Sequence, residues 1–184
     1  MKFWVYSVGR TGSVRLVKMI TPENHQHYGS IKVGFMNPKD EHFVYHVHDT
    51  SITPPEDTVK ILSTRRNTKN TVLSHFIARK TGAWQPITQQ GIELSPFSVD
   101  EEEYRKEYYR IIKLEQDYID KYNPLIIYLE DSVEEIEAKI SGKLGKPFVL
   151  PYREQNAQWI SRFPPKQYIK NYRELPQPLP KQVP

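Results

Sequence analysis

Residues 3–20, FWVYSVGRTGSVRLVKMI, hold the densest set of groups able to bind an anion. Gly9 and Gly12 let backbone approach a ligand closely, Thr11 and Ser13 offer hydroxyls, and Arg10 adds a permanent charge with a planar fork of donors. An apolar, β-prone run (Phe3, Trp4, Val5, Tyr6) precedes them and stops at Ser7, and Val14, Leu16, Val17 and Ile20 follow at helical spacing. A strand, tight turn and helix in that order leave the first-turn N–H groups without intrahelical partners, pointing at whatever fills the turn. The chemistry this predicts is a cradle for phosphate or sulfate. The same residues also fit an ordinary buried strand ended by a glycine turn. The loop is not a Walker A motif, because no Lys follows Gly12, and that disfavours an ordinary Mg-nucleotide hydrolase.

A second basic group follows the β-like run at residues 59–63, VKILS. Arg65 and Arg66 stand at its carboxyl end, where open α/β sheets place ligands, and Ser74 lies about two helical turns beyond Arg66. A second anion could sit there; a solvated basic pair beside a helix start explains the same residues. His46 and His48 share one face of a predicted strand at 42–48, because strand side chains repeat every two residues. His25 and His27 lie in a polar loop (21–30) with no third ligand suggested, so they read as solvated rather than metal-binding.

These residues need a frame. Residues 31–36 and 42–48 read as strands separated by an Asn-Pro-Lys-Asp turn. Asn67 or Thr68 can cap a helix whose apolar positions Val72, Leu73, Phe76 and Ile77 face the core, and Gly82 ends it. Residues 83–99 lack periodicity and read as a loop or lid, in which Trp84 is either core or a stacking surface. Asp100 and a run of glutamates open a helix over 100–122, and its aromatic stripe (Tyr104, Tyr108, Ile111, Ile112, Tyr118) reads as core packing. The near-continuous apolar run LIIYL at 125–129 suits a parallel strand covered on both faces. Ser132 with Glu135 forms a capping-box pattern for a helix over 132–144, stopped by Gly145. Strands alternating with helices predict an α/β fold, a three-layer parallel sheet flanked by helices. The expected division is an α/β domain at 1–150 and a C-terminal extension at 151–184. The extension ends in LPQPLPKQVP (175–184), which favours polyproline geometry and either wraps the domain or docks on a protein partner or a second copy.

The 184 residues suit one domain with a proper core. A net charge of +4 fits a small anionic ligand and is too weak to argue for nucleic acid. The chain has no cysteine, which rules out disulfides and thiolate metal sites and suits a reducing compartment. With no long apolar run and no signal-peptide pattern before the first strand, the expectation is a soluble, cytoplasmic protein without a membrane span.

Three stretches in order resemble the sulfotransferases that use 3′-phosphoadenosine-5′-phosphosulfate (PAPS). SVGRTGSVRL looks like that family's 5′-phosphosulfate loop. RNTKNTVLS, from Arg66 to Ser74, is similar to its 3′-phosphate motif, where Arg and Ser stand eight apart. LIIYLEDSVEEIEAKISGKLG is like its later strand and helix, with the aromatic-Glu-Asp signature at Tyr128, Glu130 and Asp131. The resemblance spans most of residues 1–147 and looks closest to bacterial carbohydrate and lipid sulfotransferases. Gly9 stands where the family usually has proline, the chain is short, and the family's glycine-rich C-terminal element has no clear match, with Arg153 or Lys166 as replacements that nothing in the sequence selects.

The resemblance implies a sulfuryl transferase with a P-loop-like nucleotide site, moving the group from PAPS to a hydroxyl or amine of a carbohydrate or small molecule and leaving 3′-phosphoadenosine-5′-phosphate (PAP). It implies no metal. Gly9, Arg10, Thr11, Gly12 and Ser13 would hold the 5′ side, with Arg10 also meeting the sulfuryl oxygens, while Arg66 and Ser74 would hold the 3′-phosphate. His48 would be the general base, as histidine titrates near neutrality, with His46 in reserve. The alternatives are a protein of this fold that has lost catalysis and serves in an assembly, and a kinase-like P-loop enzyme, against which the missing Lys argues.

Overall fold

The computed structural model describes residues 1–9, 11, 13–21, 43–84, 91–151 and 163–176. The strand expected at 31–36, the histidines at 25 and 27, Arg10, Gly12, Arg153 and the last eight residues lie outside them. Internal contacts divide the chain into two compact units, Met1–Arg66 with Glu115–Gln155, and Asn67–Leu114 with Asn156–Pro184.

The first unit is built on a four-stranded sheet of β1 (Lys2–Tyr6), β2 (Phe43–Val47), β3 (Val59–Thr64) and β4 (Leu125–Tyr128), in the order β2-β1-β3-β4. All three pairings are parallel. Alternation along β1 explains how both faces are filled. Phe3 and Val5 join Leu16, Val17, Met19 and Ile20 of α1 (Ser13–Ile20) and Val133, Ile136 and Ile140 of α4 (Val133–Leu144). Trp4 and Tyr6 turn the other way and meet Tyr45, Val47, Leu62 and Tyr118, the last from the second half of α3 (Glu101–Tyr122). The Tyr6 and Tyr118 rings stack at 4.4 Å. A parallel sheet is stable only with both faces covered, and these helices cover them.

Local signals set the helix ends as expected. Ser132 Oγ accepts from Glu135 N while Glu135 Oε2 accepts from Ser132 N, closing the capping box. Gly145 follows α4 at φ 66°, the left-handed region that glycine enters without steric cost. Arg15 Nη1 donates to the Leu129 carbonyl at 3.1 Å, fixing the first turn of α1 to the end of β4.

The second unit contains α2 (Thr68–Thr81), the first half of α3 and the short α5 (Pro165–Tyr168). Asn67 caps α2, its Oδ1 accepting from Asn70 N at 3.2 Å, and Asp100 Oδ1 accepts from Glu103 N at the start of α3. The described parts of 83–99 form neither helix nor strand beyond one bridge, Phe97 to Ile169. Asn171 brackets Val99 through both amide groups. Lys69, fully buried, donates to the Leu175 carbonyl at 2.6 Å with its amine 4.6 Å from the Tyr172 ring centre, and Tyr104 Oη donates to the Pro176 carbonyl. The first two residues of the proline-rich tail are therefore docked within this unit. Among the described residues, no helix is long and apolar enough to cross a membrane.

Candidate functional site

The strand order fixes where a ligand can sit. From β1 the chain crosses to β2 on one side and later to β3 on the other, so the carboxyl ends of β1 and β3 flank a switch point. Open α/β sheets bind ligands in the crevice outside such a point. At this edge lie Ser7, Gly9, Thr11 and Ser13 after β1, His48 after β2, and Arg65 and Arg66 after β3. Gly9 has φ 87°, which a residue with Cβ adopts only with strain. Thr11 is fully buried, and its hydroxyl oxygen has no hydrogen-bond partner among the described residues. A buried hydroxyl without a partner is costly unless something else satisfies it.

Ser7 is the hub. Its N–H donates to the Val47 carbonyl at 3.1 Å, extending the β1–β2 ladder by one residue. The pairing of Val5 with His46 and Tyr6 with Val47 then sets Ser7 beside His48. His48 Nδ1 lies 2.7 Å from the Ser7 carbonyl oxygen and 3.1 Å from Ser7 Oγ. A carbonyl only accepts, so Nδ1 carries the hydrogen and neutral His48 keeps its lone pair on Nε2. The residue is exposed, although its Nδ1 side is part-buried against Ser7. Ser7 Oγ donates to Ser13 Oγ at 3.0 Å and lies 3.3 Å from His46 Nε2. His46 is buried, its ring edge-on to His48 at 4.4 Å. Ser7, Ser13, His46 and His48 thus form one hydrogen-bonded cluster.

Arg66 is engaged on the β4 side of β3. Its Nη2 donates to Asp131 Oδ1 at 2.6 Å, its backbone N–H donates to Glu130, and its guanidinium lies 4.6 Å over the Tyr128 ring. Asp131, fully buried, also accepts from Lys139 Nζ at 2.5 Å and from Tyr128 N at 2.8 Å. Arg66 remains 55% exposed, so the rest of its donor fork faces water. Arg65 is less exposed; burial lowers its pKa and the charge of Glu130 opposes that. Ser74 is buried and belongs to the second unit. Arg10 and Gly12 lie outside the described residues.

Three polar features had no counterpart in the sequence reading. Ser7 is the first, since it looks like a mere strand end until the β1–β2 register is known. At the carboxyl end of β3, Thr64 Oγ1 donates to the buried Glu115 at 2.5 Å, across 51 residues of sequence. In the second unit Glu107 accepts from His75 Nδ1 (2.8 Å), Arg79 (2.9 Å) and Arg110 (2.7 Å), and the Trp84 ring lies edge-on to His75 at 5.5 Å. Burial pushes the Glu107 carboxyl up, but the hydrogen bonds from His75, Arg110 and Arg79 together with the Arg110 charge hold it well below the usual carboxylate range. The i, i+3 spacing of Glu107 and Arg110 was the single visible signal. No group of three or more potential metal-ligating side chains occurs among the described residues.

Comparison with protein-family models, curated proteins and solved structures returned no match.

Proposed function

We propose that this chain transfers a sulfuryl group from PAPS to a hydroxyl or amine of a carbohydrate or small molecule. The observation that carries the reading is His48: an exposed residue whose bare Nε2 is set by the Ser7 carbonyl, at the strand edge that also bears the Gly9–Thr11–Ser13 turn. The turn suits the 5′ end of the donor, because the Thr11 hydroxyl is buried without a partner and the first-turn N–H groups of α1 favour an anion. The donor, when bound, supplies an activated sulfuryl group on a phosphate leaving oxygen. Thr11, Ser13 and the turn backbone hold the 5′-phosphate, with Arg10 assigned to the sulfuryl oxygens and Arg66 to the 3′-phosphate. His48 Nε2 takes the acceptor's proton. Catalysis is then largely positioning and charge stabilisation, as in phosphoryl transfer.

Calorimetry with PAP tests the reading. Wild type binds, and Arg66→Ala weakens binding by one to two orders of magnitude, roughly the loss of one charge-assisted hydrogen bond. His48→Ala keeps PAP affinity and loses transfer; an unchanged rate removes His48 from the mechanism.

One observation favours a second reading, a protein of this fold that has lost catalysis and serves in an assembly. Asp131 already neutralises Arg66. No PAP binding by the wild type would select that reading, and a preference for ATP with Mg²⁺ would select a kinase-like one.

A further inference from the structure

The Ser7 hydroxyl joins two groups to which the proposed function gives separate tasks, the base and the anion turn. One hydroxyl has one hydrogen to give and two lone pairs to receive. Ser7 gives its hydrogen to Ser13 Oγ, and its oxygen faces His48 Nδ1 at 3.1 Å and His46 Nε2 at 3.3 Å. Nδ1 of His48 must carry hydrogen to satisfy the Ser7 carbonyl at 2.7 Å, and the same N–H reaches Ser7 Oγ at 3.1 Å as the longer branch of a three-centre bond, so the chain of donors runs one way, from His48 Nδ1–H to Ser7 O–H to Ser13. Ser13 opens α1, next to first-turn N–H groups that have no partner within the helix, and with Ser7 as donor to its oxygen its own hydrogen can go to a further acceptor. Thr11, with its buried and unpartnered hydroxyl, marks the same turn as made for one.

We propose that Ser7 is a positioning residue that passes occupancy of this turn to the base, so that an anion bound there makes His48 a stronger proton acceptor. The inference rests on the anion-binding part of the proposed function. A phosphate accepting from Ser13 Oγ–H makes Ser13 a better acceptor for Ser7, and Ser7 a better acceptor for His48 Nδ1–H. Hydrogen bonds in a chain polarise one another in this way. A stronger acceptor on Nδ1–H pushes electron density into the ring toward Nε2 and stabilises the imidazolium formed when Nε2 is protonated. No proton leaves the chain: His48 keeps its Nδ1–H throughout, and the base is strengthened only when the donor is in place. Among the described residues, the titratable groups beside His48 are His46, 4.4 Å away on the same strand, and its neighbour Asp49, whose carboxylate accepts from Ser51 N; the packed elements β1 and α1 present the uncharged Ser7 and Ser13.

Nitrogen NMR of the full chain with labelled histidine tests this. In the ligand-free protein, neutral His48 is expected as the Nδ1-protonated tautomer; finding the hydrogen on Nε2 overturns the proposal. Saturating PAP is expected to raise the His48 titration midpoint by about half a pH unit, roughly threefold in proton affinity. In Ser7→Ala that rise shrinks, and in Ser7→Thr it returns, which a merely structural role would not produce. Ser7→Cys, with its weak S–H donor, serves if Ser7→Ala fails to fold, and is expected to give an intermediate rise. An equal rise in wild type and in the variant shows a through-space charge effect and overturns the proposal. Inorganic phosphate forms the second arm. Phosphate binding with the Ser7-dependent rise, but no PAP binding, refutes the PAPS reading and leaves the coupling intact. Binding of neither anion overturns both.

Discussion

Asp131→Asn removes the charge from a carboxylate that has no exposed surface and leaves Arg66 and Lys139 in place. Each charge-assisted hydrogen bond to it contributes about 1.5–3 kcal/mol when fully buried. Arg66 is 55% and Lys139 31% exposed, so water screens part of each interaction. Asparagine keeps one acceptor oxygen but turns an amide N–H toward the second cation. The expected loss is about 2 kcal/mol of stability, a fall of roughly 4–8 °C in Tm for a chain of this size. The same change frees the Arg66 fork for an anion, so PAP binding is expected to tighten by about tenfold, the equivalent of 1.4 kcal/mol. Thermal unfolding by circular dichroism and calorimetry with PAP read the two effects on one preparation. An unchanged Tm refutes the ion cluster. A lower Tm with unchanged or weaker PAP binding refutes Arg66 as a phosphate ligand and favours the non-catalytic reading.

Two further predictions concern the second unit. The Glu107 carboxyl titrates lower in the folded chain than in the unfolded one, so it contributes stability above about pH 4.3 that is lost as pH falls through the folded-state value. Glu107→Gln should therefore lower Tm at pH 7 by more than at pH 3, flattening the acid side of a Tm-versus-pH curve; a curve parallel to the wild type's would show that Glu107 does not shape it. Lys69→Met removes the donor that holds the Leu175 carbonyl, and chymotrypsin should cut near Tyr172 and Leu175 about tenfold faster, a bond's worth of opening. Equal cleavage rates would mean that the amine does not retain this segment.

What was legible in the sequence was what short-range chemistry decides. Phe3–Tyr6 ends at a glycine turn, Asn67 caps α2, and Ser132 with Glu135 closes a box at α4; each rests on residues within four positions of one another. The parallel sheet was legible too, because LIIYL is apolar on both faces and strands alternate with helices. Part of the aromatic stripe on α3 is core as read: Tyr104, Ile111 and Tyr118 are buried, while Tyr108 and Ile112 are only half-buried. Trp84, for which the sequence allows core or a stacking surface, is 49% exposed. What could not be read is what depends on which strands become neighbours. The meeting of Ser7 with His48 requires β1 to pair with β2 at one register, and a slip of one residue would put His46 and His48 on the other face. The bond from Arg66 to Asp131 spans 65 residues, and no local pattern announces it. The chain's division is similarly nonlocal, since residues 67–114 find their partners beyond position 155.

The Ser7 carbonyl has one more consequence, for tolerance to change. The imidazole at position 48 is aimed by main chain, and main chain is common to all twenty amino acids. Saturation mutagenesis at position 7 should thus leave the ring's aim untouched in every variant that keeps the strand's path, while only hydroxyl-bearing ones preserve its link to the helix in full and cysteine keeps part of it. Aim and responsiveness are separately adjustable here, one anchored in the backbone and the other resting on a single oxygen.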